Sequence, residues 1–282
     1  MYKLIMNPYK QIDIYNGRLT LGVNDLKGPV APPFSPNDIA DLSRWYDFSD
    51  QSTITLSTAD YITSIDDKTT GSTHFLAQNT AVNQPHLIQN AINGLSAGRF
   101  VYDGSNYDLM TDNPALPDYN INCTIFTVFH TLQQNAETYN ALISLDSSQD
   151  GGARRFFVHA PWKNDNYYWD MGTEQNDRCY IGTSTPYDVA MLTSFKDNAN
   201  SINTMRLNGG TATANSSGFT AARTSDLWVG KKVTDTYMAE FVIYERRITD
   251  AEIYKVEGYL AWKWGLQGTL PASHPYKNNP PS

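Results

Sequence analysis

Between residues 37 and 244 the sequence is cut into short β-favouring runs with turn residues between them and no helical pattern interleaved. The runs fall at 42–48, 53–56, 62–65, 99–102, 123–131, 141–145, 155–159, 166–170, 189–195, 204–207, 227–229 and 239–244. A strand buries one face only by stacking on another sheet, so many short strands without crossover helices predict a two-sheet sandwich or a barrel. Thr124-Ile-Phe-Thr-Val-Phe-His130 and Ala239-Glu-Phe-Val-Ile-Tyr244 are nearly continuous apolar runs, which places them as central strands. Asn208-Gly209 supplies a hairpin turn, and with it antiparallel pairing. Composition agrees, since the acids are 23 Asp against 6 Glu, a bias toward turn chemistry and away from helix.

One helix is predicted near the end. Thr249-Asp-Ala-Glu252 matches a capping box, Ile253, Val256, Leu260 and Trp264 recur at helical spacing, and Gly265 with Pro271 beyond it marks the stop. At the other end, residues 11–23 alternate apolar and polar around Asn16-Gly17, so Ile12, Ile14, Leu19 and Leu21 define one face of a hairpin. Four prolines in the nine residues 28–36 then read as a stiff connector. The expected organisation is an attachment arm over 1–36 and a β domain over 37–282. A lone hairpin needs a surface to rest on: its own domain, another copy, or another protein.

The net charge of −8 opposes nucleic acid at long range, so no nucleic-acid partner is expected. The opening residues carry no apolar core with a small-residue cleavage site, and no run approaches the length of a membrane span; neither a secretory signal nor a membrane anchor is expected. Cys123 and Cys179 stand apart without a metal-binding spacing and read as buried thiols, with a disulfide the alternative. The five histidines (His74, His86, His130, His159, His274) form no local ligand pair and read as structural. No cofactor is expected; Asp66, Asp67 and Asp103, in turns, leave an oxygen-ligand calcium site as the alternative.

The segment 239–276, with its closing strand, capped helix, Trp262-Lys-Trp-Gly265 and Pro271-Ala-Ser-His-Pro275, resembles the end of concanavalin A-like lectin/laminin-G jelly rolls of the kind found in bacteriophage structural proteins. Leu42-Ser-Arg-Trp-Tyr-Asp-Phe-Ser-Asp50 resembles their opening strand, and Asp66-Asp-Lys68, Gln84-Pro85, Asn93-Gly94, Phe100-Val-Tyr-Asp-Gly104 and Asp226-Leu-Trp-Val-Gly230 fall in the family's order. The resemblance implies an antiparallel two-sheet jelly roll, all β apart from the C-terminal helix, of a type that often binds carbohydrate and sometimes calcium. It also implies packing roles for Trp45, Trp228, Trp262 and Trp264, and surface positions for Glu240, Glu245, Glu252 and Glu257. The superfamily's hydrolases carry a Glu-x-Asp-x-x-Glu strand that is missing here, and a retaining glycosidase needs two carboxyls close together, so no enzyme activity is expected. Nor does the sequence contain a P-loop or His-Glu-x-x-His motif.

Binding chemistry concentrates in Pro161-Trp-Lys-Asn-Asp-Asn-Tyr-Tyr-Trp-Asp170, where aromatic rings bracket amides and carboxylates. A pyranose stacks its C–H face on such rings while a few polar groups fix its hydroxyls. Trp162, Asn164, Asp165 and Tyr168 are the candidate carbohydrate-binding residues, whereas Trp169 reads as core. The doublets Arg154-Arg155, Lys231-Lys232 and Arg246-Arg247 read as solvated. By analogy with phage appendages the leading expectation is a virion protein on the capsid or tail surface. Its arm would join other virion proteins, its chains would form a homo-oligomer, a trimer by that analogy, and its head would meet a host glycan. The alternative is a free carbohydrate-binding module or lectin, with a hydrolase behind it.

Overall fold

The computed structural model describes residues 13–15, 18–20, 33–113, 122–133, 140–145, 155–172, 178–197, 199–216 and 226–282. The chain divides into two units, Met1–Pro33 with Ser282, and Phe34–Pro281. In the first, β1 (Asp13–Tyr15) and β2 (Arg18–Thr20) pair antiparallel with Ile14 opposite Leu19. Ile12 and Leu21, which complete the predicted arm face, lie outside the described residues.

The second unit is an antiparallel two-sheet sandwich with one C-terminal helix. Its strands are β3 (Leu42–Asp47), β4 (Ile54–Leu56), β5 (Ile62–Asp66), β6 (Phe75–Ala77), β7 (His86–Ile92), β8 (Leu95–Phe100), β9 (Met110–Asn113), β10 (Cys123–Thr131), β11 (Ala141–Leu145), β12 (Arg155–His159), β13 (Asn166–Gly172), β14 (Arg178–Gly182), β15 (Ala190–Asp197), β16 (Ile202–Leu207), β17 (Thr213–Ser216), β18 (Leu227–Lys231) and β19 (Thr236–Tyr244). One sheet runs β17-β16-β15-β10-β19-β8-β7, with β3 also pairing β19; the other runs β14-β13-β12-β11-β18-β9-β6-β5-β4. The two apolar runs read as central, β10 and β19, lie side by side in the middle of their sheet. Turn chemistry places the hairpins: Asn208 and Gly209 carry positive φ between β16 and β17, and Asn93 and Gly94 do the same between β7 and β8.

Alternation within the strands makes two cores. Tyr46, Ile125, Phe129, Phe156, Val158, Tyr167, Trp169, Leu192 and Phe241 fill the space between the sheets. Phe126, Val128, Met191 and Val242, pointing the other way, are covered by the helix α1 (Asp250–Lys263), whose Ile253, Val256, Leu260 and the following Trp264 are all buried. The capping box forms in both directions between Thr249 and Glu252, and Gly265 takes positive φ just past the end. Among the described residues, no helix is long and apolar enough to cross a membrane.

The sandwich starts inside the proline run. Phe34 is buried in the helix-side core, and the Tyr244 hydroxyl donates to Pro36 O at 3.0 Å, so residues 34–36 are part of the packed body. Two acids expected at the surface are fully buried, Glu240 and Glu257. Each is met by several donors: Glu240 accepts from Trp45 Nε1 (2.6 Å), Tyr259 OH (2.9 Å), Lys263 Nζ (2.6 Å) and Trp264 Nε1 (2.7 Å). Family position was a poor guide there, because burial is tolerated wherever the donors converge. The basic doublets differ too. Arg246 pairs with Asp41 and Glu252, Arg247 pairs with Asp250, and Lys231 is buried with its Nζ 4.3 Å from the Trp228 ring. Cys123 and Cys179 are free buried thiols, and burial pushes both up, to about 12 and about 11.

Candidate functional site

The hairpin β12–β13 and the edge strand β14 build an outward-facing cluster at one end of the nine-stranded sheet. Its turn is tight: Asp165 N donates to Trp162 O at 2.8 Å, Trp162 N to Asn166 O at 3.0 Å, and Asp165 takes φ 60°, a left-handed conformation suited to Asp. Period-2 alternation then sends Tyr167, Trp169 and Met171 into the core and Asn166, Tyr168 and Asp170 to the other face. Register sets Tyr168 opposite Tyr180 and Asp170 opposite Arg178. Both pairs are used, with the tyrosine rings 5.9 Å apart and Arg178 donating to Asp170 through Nε (2.6 Å) and Nη2 (2.7 Å).

Trp162 folds back from the turn onto this platform. Its ring centroid lies 4.2 Å from that of Tyr168 and 4.5 Å from the Arg178 guanidinium carbon, and the buried His159 meets it edge-on at 5.3 Å. His159 Nε2 is 3.5 Å from Asp170 Oδ2. Burial alone would raise the Asp170 carboxyl, but His159 and Arg178 outweigh it and hold it at about 2. The Tyr168 hydroxyl accepts from Asn164 Nδ2 at 2.7 Å and Asn166 Nδ2 at 3.3 Å, tying the turn to the strand.

Tyr180 lies on the edge strand β14 with 56% of its surface exposed. It lines a groove of about 640 Å³ between β14 and β17, with Arg178, Gly182, Thr213 and Asn215. Asn215 Nδ2 donates to Arg178 O at 2.8 Å, and Cys179 Sγ lies 3.0 Å from Thr213 O, so the edges of the two sheets meet along it.

The four residues picked from sequence thus sit in one turn and strand with different surroundings. Asn164 is exposed, Trp162 is half-buried with its indole stacked, and Asp165 is half-buried. Tyr168 is buried beneath Trp162 and acts as support. Three further members, Asp170, Arg178 and Tyr180, were not singled out. The alternation of outward Arg178 and Tyr180 with inward Cys179 and Ile181 carried that signal, but a five-residue edge strand with one buried position is too short to stand out. The arrangement offers an aromatic ledge, amides and a fixed guanidinium, the groups that hold a sugar ring.

Of the three aspartates raised for calcium, Asp66 is the exposed last residue of β5, and the other two are engaged by the protein. Asp67 accepts from Trp45 N, Thr69 N and Ser72 Oγ, and Asp103 accepts from Ser105 N and Asn106 N. Among the described residues, no three His, Cys, Asp or Glu side chains are grouped to hold a metal.

No family model and no curated protein matches this chain. Solved structures do match in fold. The binding domain of botulinum neurotoxin serotype D aligns at TM-score 0.52 and 10% identity, covering 78% of this chain and 51% of that one. The binding domain of Paraclostridial Mosquitocidal Protein 1 aligns at TM-score 0.53 and 14% identity, covering 79% and 53%. The binding domain of botulinum neurotoxin DC in complex with SialylT aligns at TM-score 0.52 and 11% identity, covering 80% and 52%. This chain spans about half the length of the structures it matches, and at these identities the likeness is one of fold.

Proposed function

We propose that the sandwich is a carbohydrate-binding module that takes a sugar on the Tyr180 edge of the β12–β14 cluster. The observation that carries this reading is an exposed tyrosine beside a groove, backed by rings and by a guanidinium whose orientation Asp170 fixes. The sugar's apolar face packs on Tyr180, while Asn164 and Arg178 Nη1, which has no partner among the described residues, meet its hydroxyls. Trp162, Asp165 and Tyr168 hold this surface in place. The fold-level match to a binding domain in complex with SialylT supports the same reading. The chemistry is recognition, with the strand acid Asp170 buried and committed to orienting Arg178.

A glycan array probed with wild-type protein and with Tyr180→Ala tests it. Saturable binding to a defined set of glycans, lost in the variant, supports the assignment; an array blank for wild-type protein refutes it.

A second reading concerns attachment. The 1–33 unit, with its paired β1 and β2, is proposed as an arm that fastens an oligomer of this chain, a trimer by analogy, to a phage capsid or tail. Mass spectrometry of purified virions tests that location directly; absence from particles leaves the free module.

A further inference from the structure

A second depression lies on the opposite sheet, where α1, the β16–β17 turn and the C-terminal tail meet. It measures about 400 Å³ and is lined by Arg206, Gly209, Thr211, Arg247, Tyr254 and Ser273, among others. No part of the β12–β14 cluster lines it.

Two guanidinium groups face this space. Arg206 is 7% exposed and is anchored by Nε to Gly210 O (3.2 Å), by Nη2 to Gly209 O (2.8 Å) and to Glu257 (3.2 Å), with its guanidinium carbon 4.8 Å from the Tyr254 ring. Its Nη1 has no partner among the described residues. The guanidinium is thus held rigidly by its other nitrogens while Nη1 faces the solvent-open pocket, a pre-oriented donor that an oxyanion can take over from solvent. Arg247 is stacked on Phe195 at 4.0 Å, donates through Nη1 to Ile248 O, and pairs through Nη2 with Asp250 at 2.5 Å, a contact at the surface where Asp250 is 71% exposed.

The acids nearby do not cancel this. Glu257 is fully buried and occupied by Thr193 Oγ1 (2.8 Å), Arg206 and His274 Nε2 (3.3 Å), and Asp250 is a solvated, exchangeable partner. Asp250 and Tyr254 also belong to the first turns of a 14-residue helix, whose N-terminal end favours negative charge.

We propose that this pocket binds an oxyanion, the carboxylate, phosphate or sulfate group of a small ligand, between Arg206 Nη1 and Arg247. The site is independent of the glycan reading, since it uses none of the same residues. The bound group accepts from Arg206 Nη1 and draws Arg247 away from Asp250, giving planar, charge-assisted hydrogen bonds.

The test is a ¹H–¹⁵N NMR titration of the full chain with sodium sulfate and, separately, sodium acetate, with sodium chloride holding ionic strength constant. The expected result is a saturable shift confined to the amides of Gly209, Gly210 and Thr211 and to the Arg247 side chain. Arg206→Met risks unfolding the site, so the decisive variants lie at the rim. Arg247→Gln weakens binding about tenfold, the loss of one charge-assisted hydrogen bond. Asp250→Asn tightens it about threefold by removing a competitor. Saturation by sulfate alone assigns the site to phosphate or sulfate esters, and saturation by acetate alone to carboxylates; either supports it. Shifts that grow linearly, or that neither variant changes, overturn it.

Discussion

Replacing Glu240 by Gln is the sharpest test of how this sandwich holds its helix. The carboxylate sits under α1 with none of its surface exposed; Oε1 takes the Trp45 indole and Tyr259 hydroxyl, and Oε2 takes Lys263 and the Trp264 indole. Burial raises its pKa and Lys263 works against that rise. A glutamine amide offers one acceptor oxygen and, in place of the second, an NH₂ group that only donates. Whichever way its amide turns, the NH₂ group meets two donors. The better choice points it at Trp45 and Tyr259, because the phenol can rotate to accept, but the Trp45 N–H is then left without a partner in the core. Lys263 keeps Asp47, 2.7 Å away, and loses one of its two charges. One orphaned buried donor and one weakened ion pair amount to about 3 kcal/mol, a large share of the roughly 5–15 kcal/mol that holds a domain together. Urea unfolding followed by tryptophan fluorescence reads the change, because Trp45 and Trp264 are the donors in question. An m-value near 2 kcal/mol/M puts the midpoint about 1.5 M lower than wild type. A loss below about 1 kcal/mol would refute the reasoning, since it would mean that the four donors find water or each other as readily as the carboxylate.

Other expectations follow from the same geometry. Asp170 is held at about 2, below the ordinary 3.8, so its contribution is complete above pH 4 and is lost as pH falls toward 2; unfolding free energies from urea denaturation should be lower for Asp170→Asn than for wild type at pH 7, by about 2 kcal/mol, and converge with it as pH approaches 2. Asp108 has the opposite sign. Burial raises it to about 6, so the folded state favours its protonated form and loses stability as pH rises from 4 through 6; melting curves should show Asp108→Asn gaining on wild type at pH 8 relative to pH 4. A chain beginning at Phe34 should melt with the wild-type sandwich, whereas one beginning at Asn37 loses the buried Phe34 and the Tyr244 bond to Pro36 and melts at a lower temperature, its stability reduced by about 3–5 kcal/mol on the scale of a lost core aromatic.

The sequence was readable where one signal was strong locally. The β10 and β19 runs, the Asn208-Gly209 turn and the capped helix each declare themselves within about ten residues, and each is present. Strands β6, β7, β9, β14 and β17 were not anticipated. In β7 the turn-like Asn90 takes φ 54° where the register with β8 shifts, which breaks the alternation, and β14 and β17 are edges with little to bury. At the candidate site the aromatic turn 161–170 was visible as a cluster, but which ring is exposed was not. Tyr168 and Tyr180 differ in exposure because Trp162 folds over the first and not the second, a matter of tertiary placement. The burial of Glu240 was hidden for a related reason: its four donors come from β3 and from the helix, far along the chain, and no local pattern shows that they converge.

The most direct test of the central claim is to titrate the protein with a glycan taken from the array while following the Tyr180 ring resonances and the Trp162 indole N–H by NMR. With sugar bound on the Tyr180 edge, both signals shift saturably with one dissociation constant, and Tyr180→Ala folds normally yet binds at least tenfold more weakly, the scale of a lost aromatic stack. Binding that leaves both signals unmoved, or that survives unchanged in Tyr180→Ala, would contradict the claim and place the sugar elsewhere on the sandwich.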